Sequence, residues 1–459
     1  MIDRKYSNSA FVALRFTEKP GVDFCTAWPY RHPDMPSEEG RILVASAAEI
    51  DRAIADQLDD VISRRSGRSA STLSDASTPF SASALSDASA PFDAKSTVPG
   101  RVGLLLSGGM DSGILASYLP GADAYTFRFL GGEYQKEELR RAESFAERNG
   151  MTLHYVDIGW EQVREALPAV MRCKGGPVHS IEPQIYLAAQ KAKADGVALM
   201  IIGDASDYVF GGMDKLLSKD WTYDEFVRRY IYVDPFEVLR EPVSMDYVFE
   251  RYRTAGGGSE RSAGGGGNSG TGSENSAGAE NAGAADGIDV PEILRTLAAQ
   301  ESYGSYNNAF EAAEMAYFDP YEALKMAEPL DLLRVRSGES KYLIRELFRM
   351  RYPDIPVPEK LPMPRPVDSY FAGWGGPKRA EFRDDIDISR YSGNQKWLLW
   401  CLEQFLDMAD AAEEGAAGEA HGGATTNETP GAPASEAGGT NKLGAPETQN
   451  GPGAPAAEK

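Results

Sequence analysis

The chain has 459 residues and carries 47 Lys plus Arg against 69 Asp plus Glu, a formal net charge of -22. Such a field repels nucleic acid and anionic lipid, which excludes general nucleic-acid binding and gives no ground for a role on a membrane surface. Cys25, Cys173 and Cys401 stand alone with no C-x-x-C pairing, so a disulfide framework, a zinc ribbon and an iron-sulfur site are excluded and a reducing, cytoplasmic setting is the simplest expectation.

The N-terminal residues lead into no apolar signal-peptide core, and the longest strongly apolar run, 197–202, falls far short of the roughly 20 residues that a membrane helix needs. The first periodic segment is 47–65, where Ile50, Ile54, Leu58, Val61 and Ile62 share one stripe and predict an amphipathic helix. Residues 66–99 are rich in Ser and Ala and contain a tandem near-copy, 73–80 and 85–92, which reads as a duplicated disordered linker. A short buried strand is then expected at 102–106, followed by a Gly-rich turn and a helix over 113–119 that Pro120-Gly121 stops. Strand 124–129, helix 136–149, strand 152–158, helix 184–194 and strand 197–202 continue the alternation. Such alternation predicts an α/β fold, a mainly parallel sheet with helices on both faces. A Gly-rich stretch, 254–287, is a second disordered insert, and beyond it 317–326, 339–350 and 396–408 read as helices of a C-terminal helical subdomain. The domain plan is therefore an N-terminal segment 1–65, an insert 66–99, an α/β core 100–253, an insert 254–287, a helical part 288–409 and a disordered tail 410–459. Without the low-complexity stretches roughly 340 residues remain, ample for a large core.

Ser107-Gly108-Gly109-Met110-Asp111-Ser112 sits between the first strand of the core and its helix, where open backbone amides and the helix dipole favour an anion. Two glycines let the main chain approach that anion, two serines add donors, and Asp111 would repel a phosphate unless a cation stood between them. The combination points to a magnesium nucleotide. It is neither G-x-x-x-x-G-K-[ST] nor G-x-G-x-x-G.

Leu105-Leu106-Ser107-Gly108-Gly109-Met110-Asp111-Ser112 resembles the pyrophosphate loop of the N-type ATP pyrophosphatases, and most closely that of the synthetase domain of asparagine synthetases. Gly203-Asp204-Ala205-Ser206-Asp207-Tyr208-Val209-Phe210-Gly211-Gly212 resembles that family's S-G-E-G-S-D-E-x-F-G-G segment, and Lys341-Tyr342-Leu343-Ile344-Arg345-Glu346-Leu347-Phe348-Arg349 is similar to its K-Y-L-L-R-E-x-F helix. The resemblance implies an adenine nucleotide alpha hydrolase-like sheet and ATP as substrate with Mg2+. It makes Ser107, Gly108, Gly109, Asp111 and Ser112 the pyrophosphate cradle, Asp111 and Asp207 the magnesium ligands, and Leu106, Phe129 and Gly203 the adenosine contacts. Lys341 falls where the family places a lysine on the phosphates, which would offset charge on the leaving pyrophosphate. From periodicity alone Lys341, Arg345 and Arg349 form one basic, solvated helical face.

Asp204 departs from the family, which carries a glutamate there to handle the proton of the incoming amine. An aspartate is one methylene shorter, and proton transfer needs heavy atoms about 2.6–3.2 Å apart. Glu138 matches an acidic position near the metal, yet with Arg141 three residues on it also reads as half of a local ion pair. Glutamine-using members begin with a glutaminase domain whose cysteine follows the initiating methionine. Here Ile2 stands in that place, so ammonia, another amine or a separate glutaminase subunit is expected to supply nitrogen. Residues 174–183 lie where the family builds part of its acid pocket, and His179 is the one histidine expected near it, in a structural role.

The resulting expectation is a carbon-nitrogen ligase of amino-acid biosynthesis that adenylates a carboxylate, by default aspartate, releases pyrophosphate and forms an amide. Two alternatives stay open at this level: an amide- or lactam-forming relative with another acid, and a silent nucleotide-binding subunit.

Overall fold

The computed structural model describes residues 1–35, 37–65, 101–130, 135–254, 286–360 and 365–422. The chain divides into two units, Met1–Glu414 and Gly415–Lys459, and the architecture below is that of the first. The described residues contain the strands β1 (Ile42–Val44), β2 (Arg101–Leu105), β3 (Asp123–Phe129), β4 (Thr152–Ile158), β5 (Val197–Ile201), β6 (Arg253–Thr254), β7 (Gly287–Ile288), β8 (Tyr317–Phe318) and β9 (Leu324–Met326).

Apolar runs that are buried on both faces belong to a parallel sheet covered by helices. β2, β3 and β5 follow that rule, β4 is a half-exposed edge strand, and the central sheet has the order β4-β3-β2-β5-β8 with every neighbouring pair parallel. Alternation then sorts the side chains. Leu104, Leu106, Ala124, Leu199 and Ile201 enter one core with the helices Ala47–Arg65, Met110–Ala116, Lys136–Arg148 and Tyr342–Arg351. Leu105, Tyr125, Phe127, Phe129, Val156 and Met200 enter the other with Trp160–Lys174, Glu182–Ala194 and the start of Gly393–Gly422. A third core gathers the N-terminal helix Arg4–Leu14 with Tyr223–Tyr230 and the segment around Ile293 and Leu297.

The chain runs outward from β2 through β3 to β4, then returns to place β5 on the other side of β2. The loops that leave β2 and β5 therefore diverge, and a crevice opens at the carboxyl ends of these two strands, where open α/β sheets bind their ligands.

Three expectations need correction. Residues 317–326 are not a helix but carry β8 and β9, because Pro320 disfavours helical geometry at Asp319 and the flanking residues find open edges: Tyr317 pairs with Met200, and Leu324 with Ile42. The second low-complexity segment does not begin and end in disorder, since Thr254 and Gly287 pair as β6 and β7 and Arg253 bridges Asp286 at 2.7 Å. The last helix runs to Gly422 instead of giving way near 410. Its Ala- and Glu-rich continuation has high helix propensity, and Asp410 and Glu413 are held by Arg4 at 2.7 and 3.1 Å. The expected disorder of 66–99, of 255–285 and of the tail beyond 422 lies outside the described residues. No described helix is long and apolar enough to cross a membrane.

Candidate functional site

β2 delivers the chain to Ser107, and the turn that follows is held by its own hydroxyls. The Ser107 amide donates to Ser112 Oγ at 3.1 Å, the two Oγ atoms lie 3.1 Å apart, and the Gly109 amide donates to Ser107 Oγ at 3.3 Å. Gly108 has φ +65°, and a Cβ there would stand 2.3 Å from the Glu138 carbonyl oxygen. Only glycine both adopts that conformation and lets the turn lie against the helix Lys136–Arg148. The first amides of the helix Met110–Ala116 have no intrahelical carbonyl to bond and face the crevice end of the sheet.

Asp111, in the first turn of that helix, meets residues from two distant segments. Its Oδ1 accepts from Ser206 Oγ at 2.5 Å and its Oδ2 from Lys341 Nζ at 2.7 Å. The same ammonium donates to Ser206 Oγ at 2.7 Å and lies 2.5 Å from Asp207 Oδ1. Lys341 is buried, and its backbone holds the left-handed conformation at φ 54°. A lysine persists in such geometry when its surroundings fix it, and here three side chains converge on one atom. Burial alone would pull the Lys341 pKa down, but Asp111 and Asp207 outweigh it and push it up.

Asp207 has a second cation, Lys360, whose Nζ donates to both carboxylate oxygens at 3.0 Å and to the Gly212 carbonyl at 3.0 Å. Burial would raise the Asp207 pKa, yet the two lysines hold it at about 2. A Cβ on Gly212 would stand 2.0 Å from Asp207 Oδ1 and 2.2 Å from Lys341 Cε, so the close approach of that pair requires glycine.

Asp204 is oriented differently. Ser302 Oγ donates to its Oδ2 at 2.5 Å, while the amides of Asp204 and Ala205 both donate to Asp319 Oδ2 at 2.8 Å. Burial first, then the nearby carboxylates of Asp319, Asp207 and Glu301, push its carboxyl up to about 8, with Ser302 opposing. Asp319 and Glu322 are pushed up to about 7, mainly by burial. At neutral pH this acidic patch therefore holds protons that ordinary carboxylates would have lost.

Glu138 is not an ion-pair partner of Arg141, which donates instead to Glu137 at 2.7 Å and to the Glu359 carbonyl at 2.7 Å. Burial pushes the Glu138 carboxyl up to about 7.

The structure thus brings Ser107, Gly108, Gly109, Asp111, Ser112, Asp207 and Lys341 to the ends of β2 and β5, with Gly203 and Asp204 on the adjoining turn. Leu106 and Phe129 differ: their side chains are buried in the two opposite cores, and their amides donate to the Tyr125 carbonyl at 2.8 Å and to Gln135 Oε1 at 2.9 Å. Ser206, Ser302, Gly212 and Lys360 escaped the sequence reading. Ser206 stood inside the quoted segment between Asp204 and Asp207, whereas Lys360 lies in a Pro-rich stretch with no periodicity to mark it.

Among the described residues no group of three or more His, Cys, Asp or Glu side chains could cage a metal ion. Two carboxylates that converge on one ammonium nevertheless form a hard-oxygen donor set, which suits a magnesium ion completed by phosphate oxygens and water. The chemistry available is electrostatic: fixed cations, two facing carboxylates and a glycine turn open to an anion.

A family model described as asparagine synthase matches residues 94–281. That span contains the Ser107 turn, Asp204 and Asp207 but ends before Lys341 and Lys360. Among solved structures the chain is similar to NMN synthetase from Francisella tularensis, at 13% identity over 37% of this chain and 59% of that one, with a TM-score of 0.22. The chain thus spans less than two thirds of that protein's length. No curated protein sequence matches it.

Proposed function

We propose that this chain, whose residues 94–281 match the asparagine synthase family, is an ATP-dependent ligase that adenylates a carboxylic acid and passes the acyl group to an amine. The observation that carries this reading is the convergence of Asp111, Ser206 and Asp207 on the Lys341 ammonium beside the Ser107–Ser112 turn.

In the reaction, an oxygen of the acid attacks the α-phosphorus of ATP, the bond to the β-phosphate breaks and pyrophosphate leaves. The amine then attacks the acyl carbon and AMP departs with the electron pair. A carboxylate is a poor electrophile, and esterification by the nucleotide supplies the leaving group. The Ser107, Gly108 and Gly109 turn and Ser112 hold the departing pyrophosphate, and Lys341 offsets the negative charge that builds on it. Asp111 and Asp207 are the residues that would hold Mg2+, whose contribution is to screen the phosphates from these carboxylates. Asp204 can take the proton that the amine loses only in its ionised form, and because burial pushes its carboxyl up to about 8, that form grows as pH rises towards 8 and the proton otherwise passes to solvent.

Aspartate with ammonia is the default pair, with a separate glutaminase subunit as one source of nitrogen. The shortened Asp204 favours a second reading in which the acid or the amine differs and an amide or lactam results.

The test is pyrophosphate release from magnesium ATP with a panel of acids, with and without ammonium, beside Asp111→Asn. Release that requires acid and is lost in the variant is the expected result. ATP binding with no release for any acid or amine would overturn the ligase reading.

A further inference from the structure

The turn between β8 and β9 touches both halves of the centre, and the reaction above gives it no task. β8 lies along β5, with the Ile202 amide donating to the Phe318 carbonyl at 3.0 Å, so the residue that follows β8 is carried to the place where β5 also ends. Pro320 disfavours helical backbone at Asp319. From outside, Gln57 Nε2 donates to the Pro320 carbonyl at 3.1 Å and the Ile42 amide to the Ala323 carbonyl at 2.8 Å. Asp319 and Tyr321 are both buried.

Asp319 faces one half. Its Oδ2 accepts from the amides of Asp204 and Ala205, both at 2.8 Å, and its Oδ1 from the Tyr321 amide at 3.0 Å. All three partners are backbone amides, so what the carboxyl fixes is the path of the chain into the segment that presents Asp204 and Asp207. Tyr321 faces the other half, where its hydroxyl donates to the Asp111 carbonyl at 3.2 Å. A Cβ on Gly203 would stand 3.3 Å from the Tyr321 ring and 3.7 Å from the Asp111 carbonyl carbon, which puts the ring where the two loops come closest.

These bonds differ in kind from the others at the centre. Lys341 joins Asp111 to Asp207 through side chains, a contact that is given up to any ligand that draws the carboxylates. The bonds from Asp319 and Tyr321 end on main-chain atoms of the same two loops and outlast that exchange, which is what holding a reacting geometry requires.

We infer that the Asp319-Pro320-Tyr321 turn is a clasp that sets the separation of Asp111 from Asp204 and Asp207, with Asp319 and Tyr321 as positioning residues for the binding of magnesium ATP. The inference rests on the ligase reading for the identity of that ligand, while both residues lie outside the span 94–281 matched by the family model. The Ser107–Ser112 turn is closed by its own hydroxyls and accepts phosphate without the clasp. The clasp therefore matters for ATP with magnesium and not for ATP alone.

The test measures, by calorimetry on the full chain, the affinity for ATP with magnesium and for ATP with EDTA, beside the unfolding temperature, for the wild type, Tyr321→Phe, Asp319→Asn and Tyr352→Phe. Tyr321→Phe deletes one hydrogen bond and is expected to weaken magnesium ATP about fivefold, with metal-free ATP unchanged. An asparagine accepts on one oxygen only, so Asp319→Asn leaves either the Asp204 and Ala205 amides or the Tyr321 amide without a partner, and a loss of about tenfold is expected. Tyr352 is the control, since its hydroxyl donates to the Gly113 carbonyl of the same helix at 2.7 Å and makes no bond to Asp111. Tyr352→Phe is expected to lower the unfolding temperature and leave both affinities at wild type. Should Asp319→Asn fail to fold, or metal-free ATP bind too weakly to measure, Tyr321→Phe against Tyr352→Phe decides. Magnesium ATP affinity in Tyr321→Phe within about twofold of wild type, equal weakening of both forms of ATP, or the same loss in Tyr352→Phe would overturn the inference. A wild type that binds no magnesium ATP would overturn it together with the ligase reading. The expected affinities with no pyrophosphate release from any acid would sink the ligase reading and leave the clasp standing. Acid-dependent release, with Tyr321→Phe at wild-type affinity, would do the reverse.

Discussion

At the ends of β2 and β5, Lys341 meets Asp111, Ser206 and Asp207 within 2.7 Å, and every cation there has a carboxylate. Around Arg15 and Arg365, by contrast, Glu301 is bridged by Arg15 alone, and Arg15 Nε and the Tyr230 hydroxyl are buried without a partner. The first cluster is satisfied as it stands, so its residues position and neutralise whatever displaces their mutual contacts. The second leaves two buried donors without acceptors, which costs free energy that the first does not lose. The difference is between charges that are paired within the fold and charges that are not.

The largest effect tests the satisfied centre. Lys341→Met leaves Asp111 and Asp207 facing each other without their shared cation, and pyrophosphate release is expected to fall by roughly 10²–10³ in a single-turnover assay. A rate within a factor of two of wild type would remove Lys341 from the centre. Gly212→Ala comes next, because its Cβ would enter the space of Asp207 Oδ1 and Lys341 Cε. It should lower stability by about 1–3 kcal/mol in chemical unfolding. It should also weaken ATP binding, measured by calorimetry.

A smaller effect concerns pH. The Asp204 carboxyl is raised to about 8 and those of Asp319 and Glu322 to about 7. A carboxyl that is raised in the folded state contributes stability that is fully present below its unfolded pKa and is lost as pH climbs through the folded value. The unfolding temperature should therefore decline as pH rises from the ordinary carboxyl value of 3.8 to about 7 to 8 and level off above, and Asp204→Asn should flatten the upper part of that decline. A variant profile that parallels wild type would show that Asp204 is ionised at neutral pH. The smallest effect belongs to Lys360, whose side chain is 54% exposed. Lys360→Met should change stability by less than about 1 kcal/mol, while raising the KM for ATP, measured from initial rates of pyrophosphate release.

The core strands were legible because each is a short apolar run between turn residues: β3, β4 and β5 begin and end within a residue of their expected bounds. The N-terminal helix Arg4–Leu14 gave no such signal, since Ser7, Asn8 and Ser9 interrupt its apolar face and are buried all the same. Helix Trp160–Lys174 contains Pro168, which masks its periodicity. In the site, Asp111, Asp207 and Lys341 could be picked out one by one from local segments. That Ser206 shares the Lys341 proton donor with them could not, because it depends on where two turns separated by about a hundred residues come to rest.

What the amino-acid order determined by itself is therefore local: alternating strands and helices, a glycine turn that admits an anion, and acidic and basic residues of the right type near it. These follow from backbone sterics and from the period of the apolar pattern, which act over a few residues. Only the tertiary structure decided that β8 closes the sheet, that Lys360 joins Asp207, and that Arg15 reaches Glu301 across 286 positions of the chain. Such contacts depend on which surfaces bury one another, and that is a property of the whole packed chain.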